Sequence, residues 1–344
     1  MNRRLEIAMV STPWFGLPPT AYGGIESMCA DLVDGLVELG HKVTVLGVGV
    51  NGTKGDFIAT DVTPQGDRRL GRSGPDVLHA ARVGQVLRTL RPDIVHDHST
   101  AGPLQAGQRP VPTVVTAHGP VSGEIGDYYR ALAGSVNLVA ISRAQQEQAP
   151  DLAWSGQVHN AVRTLDHPFR EQKGDRVLFL GRIAADKGVH LAIDAAREAG
   201  RAITIAGMCN DPEEQPYFET EVVPRLGEDA QWVGEVDYHA KRELLADARC
   251  LVFPICWEEP FGMVMIEAMA CGTPVVALRR GSVPEIVEHG VTGYICDHPS
   301  ELAHAIQSVD RLSARDCRRR VLDRFDVTGM AAAYESLYHR LTSA

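Results

Sequence analysis

A chain of 344 residues with 44% apolar and 23% charged side chains has the composition of a soluble globular protein and room for two domains. A net charge of -10 argues against a nucleic-acid binder, and the basic residues, 29 Arg against 5 Lys, reflect codon composition rather than a partner. Seven cysteines with no CxxC pair argue against a disulfide framework or a zinc site, and no apolar run approaches the ~20 residues of a spanning helix, so a cytoplasmic protein is expected.

The opening MNRRLEIAMVST passes into a strand, Leu5 to Ser11, instead of a long signal core. The loop TPWFGLPPTAYGG follows, then a helix over about 25–39 with Ile25, Met28, Leu32, Leu36 and Leu39 on one face. His41 to Gly49 is a second strand, and strand, glycine loop, helix, strand is the start of an open parallel sheet. Within Tyr22-Gly23-Gly24-Ile25-Glu26, Gly23 and Gly24 let a backbone amide approach a ligand phosphate where a helix begins. The run from Gly47 to Gly52 satisfies GxGxxG, but TKGDFIAT opens no amphipathic helix behind it, so the dinucleotide fingerprint fails; Asn51-Gly52-Thr53 reads as a turn. A helix over 77–90 and strands over 93–99, 113–119 and 136–142 continue the alternation. His118 stands at the carboxyl end of the middle strand. His96-Asp97-His98 invites a metal, but neighbours on a strand point to opposite faces, so at most His96 and His98 converge. Arg68-Arg69 with Arg72 reads as solvated surface.

After the polar stretch Arg163 to Asp175 the pattern restarts. RVLFLG, AITIAG, CLVFPI and PVVAL are strands, separated by helices near 189–198, 213–226 and 238–248. The expected fold is α/β, two doubly wound Rossmann-like domains facing across a cleft, 1–162 and 163–327, with ligand beyond the carboxyl ends of the strands. In GRIAADKG (Gly181 to Gly188), Arg182 and Lys187 offer two positive charges to a diphosphate without a metal, stabilising the charge that a leaving diphosphate gains. Cys250, Cys256 and Cys271 read as small core residues. In PICWEEPFGMVMIEAMACGTPVVA (Pro254 to Ala277), a helix lies between Gly262 and Gly272 with Met263, Ile266 and Ala270 on one face. Its first-turn N–H groups, over Gly262, Met263 and Val264, favour a phosphate. Glu259 precedes that start, beside Phe261, and Glu267 lies roughly 7 Å along the axis. A sugar nucleotide fits: sugar hydroxyls at Glu259, phosphates at the helix start, ribose hydroxyls at Glu267. Arg318-Arg319-Arg320 reads as solvated surface, and a last helix over 330–341 carries Tyr334, Leu337, Tyr338 and Leu341 on one face.

The stretch EPFGMVMIEAMACGTPVVA resembles the Glu-x7-Glu signature of the retaining glycosyltransferases of family 4, over about twenty consecutive positions. The resemblance implies the type B glycosyltransferase fold, with an acceptor-side first domain, a nucleotide-sugar-binding second domain, and a last segment, about 328–344, packing back on the first. It implies that the glycine loop, similar to the family's GGIE, brings Gly23 and Gly24 to the donor phosphates, and that His118 lies near the sugar and acceptor. GRIAADKG resembles GRLxxEKG, with Asp186 in place of Glu. Asn160-Ala161-Val162 resembles Asn-Gly-Val, and Ala161 there speaks against a left-handed turn. Gly281 to Ile295 resembles the stretch that follows the donor motif, read as scaffold near the nucleotide with Glu285 as a contact. The implied activity is a metal-independent, cofactor-free, hexosyltransferase-like enzyme that moves a sugar with retention from a nucleoside-diphosphate sugar to a hydroxyl acceptor. Its catalytic residues would be His118, Glu259, Arg182 and Lys187; Gly23, Gly24, Phe261, Gly262, Met263, Val264 and Glu267 would complete the donor site. Partners are the donor and a small-molecule or glycan acceptor, with no nucleic acid.

Three other readings stand beside it: a sugar-nucleotide epimerase of the same fold, a non-catalytic sugar-nucleotide or glycan binder, and a dehydrogenase, which would need the rejected GxGxxG. Base, sugar and acceptor are set by loops such as Gln65 to Asp76 and Gly119 to Asp127, whose residues announce no ligand.

Overall fold

The computed structural model describes residues 3–66, 69–210 and 212–343, so Arg68 of the expected surface cluster lies outside the described residues. The chain divides into two compact units, Met1–Ala161 with Val327–Ala344, and Val162–Asp326. Each is a wholly parallel sheet, two Rossmann-like α/β folds.

In the first unit, β1 (Glu6–Val10), β2 (Lys42–Val48), β3 (Asp56–Asp61), β4 (Ile94–Asp97), β5 (Thr113–Ala117), β6 (Asn137–Ala140) and β7 (Trp154–Gln157) lie in the order β3-β2-β1-β4-β5-β6-β7. The inner strands are apolar runs because crossover helices leave neither face to water. Strand order reverses between β1 and β4, and the crevice beyond their carboxyl ends is where such sheets bind ligands. The Gly24–Glu38 helix starts there. Its Gly35 meets the last helix, Val327–Thr342, so closely that a Cβ would lie 2.9 Å from Ala331 Cβ. Tyr334, Leu337 and Tyr338 of that last helix are buried.

In the second unit, β8 (Val177–Leu180), β9 (Ile203–Ala206), β10 (Ala230–Trp232), β11 (Leu251–Phe253), β12 (Val275–Leu278) and β13 (Gly293–Cys296) lie in the order β10-β9-β8-β11-β12-β13. Here the reversal falls between β8 and β11. The segments that leave these two strands are GRIAADKG and the Glu259 loop. A core of Val177, Phe179, Ile193, Ile205, Val252, Val276 and Ile306 fills the space between sheet and helices.

Several expectations are corrected. The helix over 213–226 is broken into a helical turn, Gln215–Tyr217, a wide π-turn, Phe218–Val222, and a 3-10 turn, Val223–Arg225, where Pro224 lacks the N–H that would carry a regular helical ladder through. Met263–Ala270 is not one-faced: Met265 to Ala270 are all buried. Cys250 and Cys271 are core residues, but Cys256 is exposed. Arg318 is no solvated residue, since its guanidinium donates to the carbonyls of Thr164, His167 and Ala270. Among the described residues no helix is long and apolar enough to cross a membrane.

Candidate active site

The second unit builds its site from the two segments at the β8/β11 reversal. Beyond β8 the chain passes Gly181 and Arg182 into a 3-10 turn, Ala185–Lys187, and Gly188 opens the Val189–Glu198 helix with φ 70°. A Cβ at Gly188 would lie 2.2 Å from the Pro254 carbonyl, so only glycine lets the two segments touch. That contact brings Lys187 Nζ 2.7 Å from Glu259 Oε2, and 4.9 Å from the centroid of the Trp257 ring. Both side chains of the ion pair are more than four-fifths buried, where a charge pair is worth more than on the surface. Arg182 does not join it: its guanidinium pairs with Glu214 and lies 4.0 Å from Asp186.

The Glu259 loop is gripped from behind by the segment read as scaffold. Ser282 N–H donates to the Glu259 carbonyl at 3.0 Å and Ser282 Oγ to the Phe261 carbonyl at 2.7 Å, while Gly281 N–H donates to Glu258 Oε2 at 2.6 Å. Phe261 is buried, its ring edge-on to Phe325 at 6.0 Å. Gly262, with φ 81°, caps Met263–Ala270. The first-turn N–H groups of Met263 and Val264, both half-buried, have no carbonyl one turn earlier to bond. Glu267 is buried on this helix and 2.7 Å from Lys241 Nζ. Burial pushes its carboxyl up, but the charge and hydrogen bond of Lys241, with His167 and Arg242 behind them, hold it below its ordinary value, so it is a carboxylate.

In the first unit, Gly23 takes φ 140° and Gly24 starts the helix. Glu26 is buried in the first turn, hydrogen-bonded to Thr12 Oγ1, and burial pushes its carboxyl up. His118 is half-buried beyond β5, its Nε2 2.9 Å from His98 Nδ1. His96 turns to other partners, Tyr338 OH at 2.6 Å and Thr116 Oγ1 at 2.8 Å. His96 and His98 thus share a face, but the contact that matters runs to His118. Burial lowers all three imidazoles, His96 to about 3 and His118 to about 4. The adjacent Asp97 is buried against Arg109 at 3.1 Å and holds Ser99, so it serves the loop rather than a ligand.

Elsewhere in this unit, His41, Glu335 and His339 bring three ligating atoms within 4.8 Å of one another. Leu5 N–H donates to His41 Nδ1, however, which leaves the imidazole proton on Nε2, toward Glu335. The group is a hydrogen-bonded pair, not a ready ligand set.

Lys241, Glu214 and Trp257 belong to these constellations and carry no sequence signal, while the His96-Asp97-His98 run marks His98 but not its contact with His118. Only the scarcity of lysine marks Lys241, one of five in the chain.

Two family models match the chain, that for glycosyl transferases group 1 over residues 165–321 and that for glycosyltransferase family 4 over residues 22–153. The glycogen synthase of Mycobacterium tuberculosis (strain H37Rv) is 29% identical over 396 aligned residues, covering 97% of this chain and 94% of that protein. The alpha-maltose-1-phosphate synthase of Mycolicibacterium smegmatis is 31% identical over 188 residues, 48% of each chain. Among solved structures, AviGT4, a glycosyltransferase involved in avilamycin A biosynthesis, superposes with a TM-score of 0.76 at 26% identity, over 99% of this chain and 98% of that one.

Proposed function

The chain is a glycosyltransferase of the group 1 and family 4 kind, with the type B fold, and on that premise we propose that it transfers a hexosyl group, with retention, from a nucleoside-diphosphate sugar to a hydroxyl acceptor. The observation that carries this reading is the largely buried Lys187–Glu259 pair beside a capped helix start. It sets a phosphate-binding cation and a sugar-binding carboxylate one hydrogen bond apart. The diphosphate takes Lys187 and the N–H groups of Met263 and Val264; Arg182 turns from Glu214 to join them. Glu259 then accepts hydrogen bonds from the sugar, and Glu267, kept ionised by Lys241, accepts from the ribose.

In the reaction, the bond from the anomeric carbon to the phosphate oxygen breaks and a bond to the acceptor oxygen forms on the same face. The acceptor's proton passes to the departing phosphate. Charge grows on that phosphate in the transition state, where Lys187 and the helix N-terminus are already oriented. These groups take the place of a metal. His118 meets a sugar hydroxyl, and the glycine loop Gly23-Gly24 serves phosphate, as the family resemblance suggests. The names of the two mycobacterial relatives favour a glucosyl group as the first to try.

A thermal-shift and turnover screen across UDP-, GDP-, ADP- and TDP-sugars tests the reading, since a selective donor raises the melting temperature by mass action. Donor consumption without any acceptor product would favour an epimerase, binding without turnover a non-catalytic binder. EDTA should leave turnover unchanged; a loss restored by Mg²⁺ or Mn²⁺ would overturn metal independence.

A further inference from the structure

His118 has a neighbour that constrains it more tightly than a sugar-binding role requires. His98 stands between His118 and Met9, with Nδ1 2.9 Å from His118 Nε2 and Nε2 3.2 Å from Met9 Sδ. A thioether sulfur carries lone pairs and no proton, so it can only accept. The hydrogen in the His98–Met9 contact therefore sits on His98 Nε2. A neutral imidazole has one such hydrogen, and His98 is buried and held neutral, so its Nδ1 is bare. The hydrogen in the next contact must then come from His118 Nε2. His118 is left with a bare Nδ1, for which no hydrogen-bond partner is recorded among the described residues. Met9 lies in β1, wholly buried, and anchors the series from the sheet itself.

We infer that Met9 and His98 fix His118 in its Nε2–H tautomer and present its Nδ1 as a hydrogen-bond acceptor, making His98 and Met9 positioning residues for the sugar-binding histidine. The inference rests on the reading of His118 as a sugar contact. It sharpens that reading, because a bare Nδ1 selects a ligand that donates a hydroxyl hydrogen there. A donor sugar with fluorine or hydrogen in place of that hydroxyl is discriminated against.

Imidazole ¹⁵N spectra of the full chain at neutral pH read the tautomer directly, with the His118 signals assigned from a His118→Gln variant. The expected pattern is a proton-bearing Nε2 and a bare Nδ1 in both His98 and His118. A proton on His118 Nδ1 would overturn the inference. Met9→Leu conserves volume and removes the only acceptor in the series that cannot donate. It should turn the single tautomer of His98 into a mixture, and unchanged spectra would count against the relay. His98→Leu leaves the His118 Nε2–H unpaired and should lower kcat by about tenfold, with affinity for a free nucleoside diphosphate unchanged, because that ligand has no sugar. The expected tautomer together with full activity in His98→Leu would remove the sugar-site role of His118 while the tautomer stood. The wrong tautomer in an active enzyme would remove the relay and leave the donor reading intact.

Discussion

Glu259 and Glu267 have the same chemistry but different partners, Lys187 for the first and Lys241 for the second, and the proposed reading gives them different tasks. On the proposed assignment of Glu267 to the ribose, Glu267→Gln should weaken both the donor and the free nucleoside diphosphate. Glu259→Gln should lower kcat with much less effect on the diphosphate, which calorimetry beside steady-state kinetics resolves; equal loss in both variants would make Glu259 a loop residue. Lys187→Ala should cost on the order of 10²–10³ in turnover with the fold retained, the range for removing one preorganised donor to a developing charge. The buried histidines make a second expectation. His96 is lowered from 6.5 to about 3 by burial, so between those values the unfolded chain binds a proton that the folded chain refuses. Stability is therefore full above about pH 6.5 and falls as pH falls, by about 2 kcal/mol between pH 6.5 and 5 for His96 alone. Denaturant titrations at pH 7.5 and 5 should show this, with a shallower loss in His96→Asn. Glu259, Glu267, Arg182 and Lys187 could all be singled out from sequence, because a helix start and its flanking charges are local. Lys241 could not, and His98 only as part of the His96-Asp97-His98 run, since each acquires its meaning from a residue 20 or more positions away.

At the scale of elements, the strands that sequence patterning misses are β3, β7, β10 and β13, and these four are the edges of the two sheets. Three of them are partly exposed, so DFIATD, WSGQ and AQW lack the continuous apolar runs that reveal central strands. The helices over 24–38 and 189–198 were legible because caps and apolar spacing agree in them. Tertiary contact decides the rest. Gly281, with φ 48°, faces the Glu259 backbone so closely that a Cβ would lie 2.1 Å from its carbonyl oxygen. Gly281→Ala should therefore shift the loop, reduce kcat by up to about 10²-fold and lower the melting temperature. At the other helix contact, Gly35→Val meets Ala331 and Val327 and should destabilise the first unit by about 1–3 kcal/mol. A stability equal to that of the parent would mean that the last helix is loosely held.

For the molecule as a whole, the second unit is an uninterrupted run of chain, and the first is not. The two ends of that run lie side by side, Val162 N–H donating to the Phe325 carbonyl at 3.0 Å in a short parallel bridge of Val162 with Asp326. Residues 162–326 produced alone should unfold cooperatively and still bind the nucleoside diphosphate. Residues 1–326 should lose the first unit's transition, because Tyr334 and Tyr338 no longer cover Thr116 and His96. A first unit that stayed folded in that truncation would make the last helix dispensable. The same discontinuity sets an order of events on the ribosome. Domains generally fold as they emerge, the amino-terminal one first. Here the amino-terminal unit has to wait, its apolar face over β4 and β5 uncovered, until the chain beyond Asp326 has been made. The unit encoded second can finish first, and during that interval the nascent chain is most exposed to chaperones and proteases.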